Sequence, residues 1–275
     1  MKKKVTTTEE IVNNKKITTV VTVEDYVTNE TTAIVAVLDR SYSMNEDNFI
    51  HTAIAKYNEF IGSQKSLPGK ATLSEAIFDN EYDLISNNIN LADAKPMTID
   101  VWKPRGMTRL LDAVGKTITT LRSDFSKMKP EDVPSKVLVV IYTDGKENDS
   151  KEFTNDSIKK LIGECEKDNW NFIFLGADQN SFDASYKMGI SKGNTLVFAK
   201  TTLGANLYTQ KLNNASMKYR SMSTDDICFA SCSKDLMSED DAPSALANSI
   251  GLNSTGEMVN GTITSAAGIK VKTKK

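Results

Sequence analysis

Three apolar runs, each ending close to a carboxylate, constrain the fold of this chain most strongly. They are "AIVAVLD" at 33–39, "KVLVVIYTDG" at 136–145 and "WNFIFLGAD" at 170–178. Each run is apolar without alternation, which is typical of parallel strands covered on both faces. Segments with helical spacing lie between them, so strands and helices alternate along the chain. The pattern predicts a doubly wound α/β domain with a mostly parallel sheet and helices on both faces.

One pair of strands interrupts this alternation. The segments "ATLSEAIFD" at 71–79 and "EYDLISNNI" at 81–89 follow each other across a short polar turn. Such a pair is typical of an antiparallel hairpin. We therefore expect one antiparallel hairpin at the edge of the sheet, within a domain that spans residues 31–222.

The segments on either side of the predicted domain differ from it in composition. Residues 1–30 hold two Thr/Val-rich runs around "NNKK", which predicts a β-rich arm. Residues 223–275 lose the periodicity and are rich in Ser, Asn, Gly and Thr, which predicts a partly ordered tail. The arm could add to a sheet edge of its own or a neighbouring chain, and the tail could make self-association or partner contacts. The alternative is that both are solvated extensions.

Composition excludes several classes of function. The 275 residues carry a net charge of −2, which gives no argument for binding nucleic acid or a membrane surface. No apolar run approaches the ~20 residues of a membrane-spanning helix, and the first residues lack the apolar core of a secretory signal. Three cysteines, an odd number, indicate reduced thiols. We expect a cytoplasmic protein that binds neither nucleic acid nor membrane.

Oxygen-bearing side chains follow the predicted strands at one edge of the sheet. Asp39, Ser41 and Ser43 lie in "LDRSYS", Thr108 lies near a helix start in "RGMTRLLDA", and Asp144 ends a strand in "YTDG". Open α/β sheets bind their ligands at this edge. All five are hard oxygen donors, which suit Mg²⁺, Mn²⁺ or Ca²⁺ better than zinc or copper. The pattern predicts a metal site with a position left open for a partner's carboxylate. Helix capping is the alternative explanation, although it does not account for all five oxygens.

These motifs resemble the metal-ion-dependent adhesion site of von Willebrand factor A domains. The resemblance rests on "DRSYS", the Thr of "RGMTRLLDA" and the Asp of "YTDG", in this order along the chain. It implies that Ser41, Ser43 and Thr108 are direct metal ligands and that Asp39 and Asp144 are direct or water-mediated ones. "TDGKEN" and "NFIFLGADQNSFDASYKMGI" are most similar to stand-alone A domains of bacteria and their phages. This implies the cytoplasm of a bacterium or of a phage-infected host.

One residue departs from the family pattern. Where the family often has Gly between the two serines, this chain has Tyr42. The ring could line the mouth of the site and restrict what reaches the metal. It could also strain the loop and weaken metal binding.

Two classes of function remain in competition. The first is a metal-dependent protein-interaction module, not an enzyme, that binds an acidic side chain of a protein partner. The second is a Mg²⁺-dependent phosphatase of the haloacid dehalogenase kind, whose chemistry normally needs a second Asp two residues after the first, where this chain has Ser41. A third possibility is a structural protein that uses the domain as an assembly scaffold. A single histidine, His51, and no nucleophile-elbow sequence disfavour a Ser-His-Asp hydrolase, and we assign no catalytic residue.

Overall fold

The computed structural model describes residues 2–12, 15–26, 30–144, 146–177 and 180–224. Its strands are β1 (Lys2–Val12), β2 (Lys15–Tyr26), β3 (Thr32–Asp39), β4 (Ala71–Phe78), β5 (Tyr82–Asn90), β6 (Lys136–Thr143), β7 (Trp170–Gly176) and β8 (Thr195–Val197). Its helices are α1 (Phe49–Lys65), α2 (Leu110–Phe125), α3 (Asn155–Cys165), α4 (Asn180–Lys187) and α5 (Thr202–Ser221).

A six-stranded sheet forms the centre of the domain. Its strand order is β5-β4-β3-β6-β7-β8, and every neighbouring pair is parallel except β4 with β5. The order reverses between β3 and β6, since the chain runs from β3 outward on one side and from β6 outward on the other. The predicted fold, a doubly wound and mostly parallel sheet with one antiparallel edge hairpin, is confirmed.

The sheet carries a hydrophobic core on each face. Along β3, Ile34 and Leu38 pack in the core that also contains α1 and α5. The alternate residues Val35 and Val37 pack in the opposite core, together with α2 and α3. All residues of β3 and β6 are buried, which explains why their sequences are apolar without alternation. β5, at the edge, alternates between partly buried and exposed residues instead.

The N-terminal segment forms a sheet of its own. β1 and β2 pair antiparallel, with Glu9 opposite Thr18 and Val12 opposite Lys15. Within the described residues this two-stranded sheet is separate from the six-stranded one, so no strand of the arm extends β5 or β8 in the same chain. Most of the predicted tail, residues 225–275, lies outside the described residues. Self-association through either segment remains a prediction.

Both ends of the α/β domain lie at one edge of the sheet. The main-chain N–H of Ser135 donates to the carbonyl of Thr31 at 3.0 Å. The ammonium of the next residue, Lys136, donates to the carbonyls of Arg220 and Met222 at 2.7 and 2.8 Å. Lys136 begins β6, so this edge is opposite the one at which β3 and β6 end. In the described part of the chain, no helix is both long and apolar enough to cross a membrane.

Candidate metal centre

Asp39 ends β3 at the point where the strand order reverses. Its side chain is fully buried. Oδ1 accepts a hydrogen bond of 2.6 Å from the main-chain N–H of Ser41, and Oδ2 accepts one of 2.5 Å from the hydroxyl of Thr143. Burial raises the pKa of Asp39 to about 7, because these hydrogen bonds offset only part of the cost of removing the charge from water. The carboxylate is therefore fixed in position by hydrogen bonds, but these do not fully compensate its negative charge.

The two serines connect Asp39 to the end of β6. The hydroxyls of Ser41 and Ser43 lie 3.0 Å apart, and the Ser43 hydroxyl donates to Oδ1 of Asp144 at 2.8 Å. Ser41 precedes a 3-10 helix (Tyr42–Asn48), yet its side chain makes no capping hydrogen bond there. The structure thus brings four of the five predicted residues into one hydrogen-bonded chain. Helix capping does not account for Ser41.

Thr108, the fifth predicted residue, is buried in the loop before α2. Its main-chain N–H donates to the side-chain oxygen of Asn148 at 2.9 Å, and its carbonyl accepts from the N–H of Asn148 at 3.2 Å. Two residues earlier, the carbonyl of Gly106 accepts from the N–H of Tyr42 at 3.2 Å. Hydrogen bonds therefore tie the Thr108 loop to the segments that follow β3 and β6. The N-cap position of α2 belongs to Arg109, so Thr108 does not cap this helix.

Gly106 is required by the geometry of this loop. Its φ is +68°, a left-handed conformation that side chains with a Cβ rarely adopt. A Cβ at this position would also collide with the side-chain oxygen of Asn80. That same oxygen accepts a hydrogen bond of 2.9 Å from the N–H of Met107, so it is not free to move away.

A buried ion-pair network supports the loop after β3, and the motif did not predict it. Arg40, between Asp39 and Ser41, is buried and places Nε 3.1 Å from Oδ2 of Asp79 and Nη2 2.8 Å from Asp83. Arg105, in the loop before α2, places Nε 2.6 Å from the same oxygen of Asp79. Asp79 follows β4, so this one carboxylate links three loops at the carboxyl edge of the sheet. A buried arginine needs an acidic partner. The position of Arg40 inside the motif, directly after a buried strand, was the one feature of the sequence that could have indicated such a partner.

The positive charge of Arg105 is therefore used in ion pairs and does not form part of a free basic rim around the centre. Its guanidinium is held by Asp79 and Glu81. The rim of the centre instead carries two exposed apolar side chains, Tyr42 at 69% and Met107 at 49% exposure. Tyr42 thus points its bulk toward solvent beside the site.

Lys200 is a second residue that sequence reasoning missed. It lies between β8 and α5, and its Nζ is 2.7 Å from Oδ2 of Asp144 and 2.6 Å from Oε2 of Glu46. It also donates to the carbonyl of Ser43 at 3.3 Å. Burial lowers the pKa of Lys200, but the two carboxylates outweigh this and the net shift is upward. Among the described residues, Oδ2 of Asp144 has no hydrogen bond of good geometry, and this ion pair balances its charge.

The donor set fits a hard divalent cation. Two buried carboxylates and two linked hydroxyls meet at the switch point, with Thr108 on the adjoining loop. Within the described ranges, no group of three or more His, Cys, Asp or Glu side chains gathers as a metal cluster. Hydroxyl oxygens would thus form much of the coordination shell, as expected for Mg²⁺ or Mn²⁺ rather than a soft metal.

A doubly wound sheet with a hydroxyl-lined acidic centre at its switch point defines a Rossmann-like domain. The family model of the von Willebrand factor type A domain matches residues 33–214. The chain belongs to this family. No curated protein sequence matches the chain.

Solved structures are similar to this chain at low sequence identity. One is proximal thread matrix protein 1 from the mussel byssus, 15% identical with a TM-score of 0.50, where the match covers 69% of this chain and 49% of that one. A form of the same mussel protein with a zinc-occupied MIDAS motif is 14% identical, with a TM-score of 0.49 and coverage of 69% and 48%. The ArnB paralog VWA2 from Sulfolobus acidocaldarius is 16% identical, with a TM-score of 0.44 and coverage of 68% and 45%. The match spans about half of each of these longer chains.

Proposed function

We propose that this protein is a divalent-metal-dependent protein-interaction module. Its metal-ion-dependent adhesion site consists of Asp39, Ser41, Ser43, Thr108 and Asp144. The observation that carries the proposal is the continuous hydrogen-bonded chain from Asp39 through both serines to Asp144. This chain joins the ends of β3 and β6, where open α/β sheets bind their ligands.

The chemistry of the donors supports recognition of a carboxylate. Two carboxylates balance the charge of Mg²⁺, or of Mn²⁺ or Ca²⁺, while neutral hydroxyls complete only part of its shell. When bound, the ion supplies a positive charge with a coordination position open to a partner's acidic side chain. The hydrogen bonds of Asp39 to Ser41 and Thr143 hold its carboxylate in one orientation. The chain thereby presents a fixed site rather than a flexible one.

The same geometry argues against the phosphatase alternative. Both carboxylate oxygens of Asp39 accept hydrogen bonds and the side chain has no exposed surface, so it is poorly placed to attack a phosphate. The position of the usual second Asp is Ser41, whose hydroxyl pairs with Ser43. We therefore propose a non-enzymatic protein. The resemblance to stand-alone A domains of bacteria and their phages supports a site of action in the cytoplasm of a bacterium or of a phage-infected host. Use of the domain as an assembly scaffold, with contacts through residues 1–30 or 223–275, is the second candidate.

Calorimetry on metal-stripped protein tests the site. We expect Mg²⁺ and Mn²⁺ to bind, and Asp39→Ala and Asp144→Ala to weaken binding by at least about tenfold each. Asp156→Ala, in the exposed first turn of α3, is the matched control and should bind as the wild type does. Equal affinity of the wild type and the Asp39/Asp144 double variant would contradict the assignment.

Affinity capture from a bacterial lysate tests the interaction itself. We expect a partner that is retained with Mg²⁺, released by EDTA and absent from the Asp144→Ala capture. Retention that ignores both EDTA and the substitution would favour the scaffold role. A generic phosphatase assay with Mg²⁺ provides the remaining check, since turnover that Asp39→Asn abolishes would favour the enzyme.

A further inference from the structure

Lys200 places a positive charge directly against the acidic residues of the site, although it belongs to none of the sequence motifs. Its ammonium contacts three oxygens: Oδ2 of Asp144 at 2.7 Å, Oε2 of Glu46 at 2.6 Å and the carbonyl of Ser43 at 3.3 Å. The side chain is only 19% exposed. An ammonium has three N–H donors, so these three oxygens can satisfy all of them.

Asp144 is the residue for which two cations would compete. Its side chain is fully buried, and a buried carboxylate is stable only when its charge is compensated. Oδ1 accepts from the Ser43 hydroxyl, and Oδ2 faces Lys200. A divalent ion held by Asp144 would perform the same compensation. Two cations at one carboxylate, in a site of low dielectric, repel each other strongly.

Glu46 provides Lys200 with a second carboxylate partner besides Asp144. This residue lies three positions after Ser43, at a kink within the Tyr42–Asn48 segment, and its side chain is 65% exposed. Its carboxylate can follow the flexible lysine toward solvent at little cost. The ion pair with Glu46 is therefore compatible with a Lys200 that has left Asp144.

We propose that Lys200 is an intramolecular competitor of the divalent metal for Asp144, so that it sets the metal affinity of the site. This inference rests on the proposed function, in which Asp144 is a metal ligand. In the metal-free protein Lys200 neutralises Asp144 and keeps the site closed by an ion pair. Metal binding requires the ammonium to give up Asp144, and the cost of breaking that pair is subtracted from the metal affinity.

Two neutral variants measure this cost. Lys200→Met and Lys200→Gln both remove the competing charge, and the Gln variant keeps a hydrogen-bond donor for Asp144. Both should bind Mg²⁺ and Mn²⁺ at least about fivefold more tightly than the wild type in calorimetry of the metal-stripped, full-length chain. Lys200→Arg, which keeps the charge, should not show this gain.

Lys116→Met is the matched control. It makes the same change of residue and charge at Lys116 of α2, which pairs with Glu152 at 2.6 Å and lies two turns of helix beyond Thr108. Its metal affinity should stay within about twofold of the wild type, because solvent screens a more distant surface charge. A gain of equal size in Lys116→Met would show a general charge effect and would overturn the inference.

Thermal unfolding provides a readout that does not depend on calorimetric affinity. Lys200→Met should melt below the wild type without metal, because Asp144 loses its compensation, and should gain more from added Mg²⁺. If Lys200→Met folds only with Mg²⁺, this would also support the competition, because the ion would then replace Lys200 in compensating Asp144. If the wild type binds metal and neither neutral variant binds it more tightly or gains more stability from it, the competition is wrong while the metal site stands. If the wild type binds no metal, the proposed function fails and this inference falls with it.

Discussion

The indole Nε1 of Trp102 donates a hydrogen bond of 2.7 Å to the main-chain carbonyl of Asp39. Trp102 has no exposed surface, and its ring makes edge contacts with Tyr57 and Tyr142. The polar group of a core tryptophan is thus used to hold the residue that ends β3. This contact connects the candidate metal centre to the hydrophobic core beneath it.

Trp102→Phe should therefore affect both stability and metal binding. It leaves the carbonyl of Asp39 without its partner and opens a cavity, which together should lower the free energy of unfolding by about 2–4 kcal/mol. Metal affinity should fall as well, because Asp39 loses part of its support. Trp170→Phe is the control, since Trp170 is buried at the opposite end of the sheet and stacks on Phe172. It should cost stability in urea denaturation but leave calorimetric metal affinity unchanged.

Asp39→Asn should stabilise the protein when no metal is present. The folded-state pKa of Asp39 is raised from 3.8 to about 7, so the native state binds its proton more tightly than the unfolded chain does. The stability that this proton provides is complete below about pH 4 and is lost as the pH rises through about 7. At about pH 8, Asp39→Asn should unfold at a higher urea concentration. The gain in free energy of unfolding should be at most about 4 kcal/mol, which is about 3 pKa units at 1.4 kcal/mol each.

The order of stability should reverse when Mg²⁺ is added. The wild type gains free energy by binding the ion to its native state, and the Asn variant does not. Denaturation at about pH 8 with EDTA and with excess Mg²⁺ distinguishes these cases. A variant that is less stable than the wild type in EDTA would show that the buried carboxylate is not a cost to the metal-free fold.

Asp79→Ala should be among the most damaging single changes at this edge of the sheet. It leaves the buried guanidinium of Arg40 without its main partner and frees the Arg105 loop. Breaking one half of a buried pair costs about 3–5 kcal/mol. Glu152→Ala, which breaks the exposed pair with Lys116, should cost less than about 1 kcal/mol. Similar losses for both variants in urea denaturation would mean that the Asp79 network is not structurally special.

Asp112 should make the fold sensitive to acid. It has little exposed surface, and its carboxylate accepts main-chain hydrogen bonds from Lys151, Glu152 and Phe153 at 2.8, 2.9 and 2.9 Å. Burial alone raises its pKa, but these bonds outweigh burial and the net shift is downward. Its stabilisation is present above the unfolded pKa of about 4 and is lost as the pH falls through the lower folded value.

Asp112→Asn therefore should lose about 1–3 kcal/mol at neutral pH, since an amide oxygen replaces a charged acceptor. The difference from the wild type should shrink at a pH below the lowered folded pKa of Asp112, where both side chains are neutral. Urea denaturation at the two pH values measures it. A difference that stays constant would assign the loss to packing rather than to charge.

The fold and the placement of four site residues, Asp39, Ser41, Ser43 and Asp144, follow from local sequence patterns. Unbroken apolar runs give β3 and β6, and the residues just after them must meet where the strand order reverses. That geometry is why Asp39 and Asp144 could be paired from sequence, although 105 positions separate them. Ser41 and Ser43 follow because they lie two and four positions after Asp39, in the loop that begins where β3 ends.

The supporting contacts could not be predicted because they depend on loop conformations. Trp102 reaches Asp39 across 63 positions, and Lys200 reaches Ser43 across 157. The loops that carry both residues have no periodicity that fixes the direction of a side chain. Lys200 in particular looks like any surface lysine until β8 and α5 place it beside Asp144.

The position of Thr31 and Met222 beside Lys136 puts both attachment points of the domain at the edge of the sheet opposite Asp39 and Asp144. A tether or fusion joined there begins at the edge farthest from the candidate site. Immobilising the domain through either attachment point on a sensor surface should therefore leave Asp39 and Asp144 facing the solution.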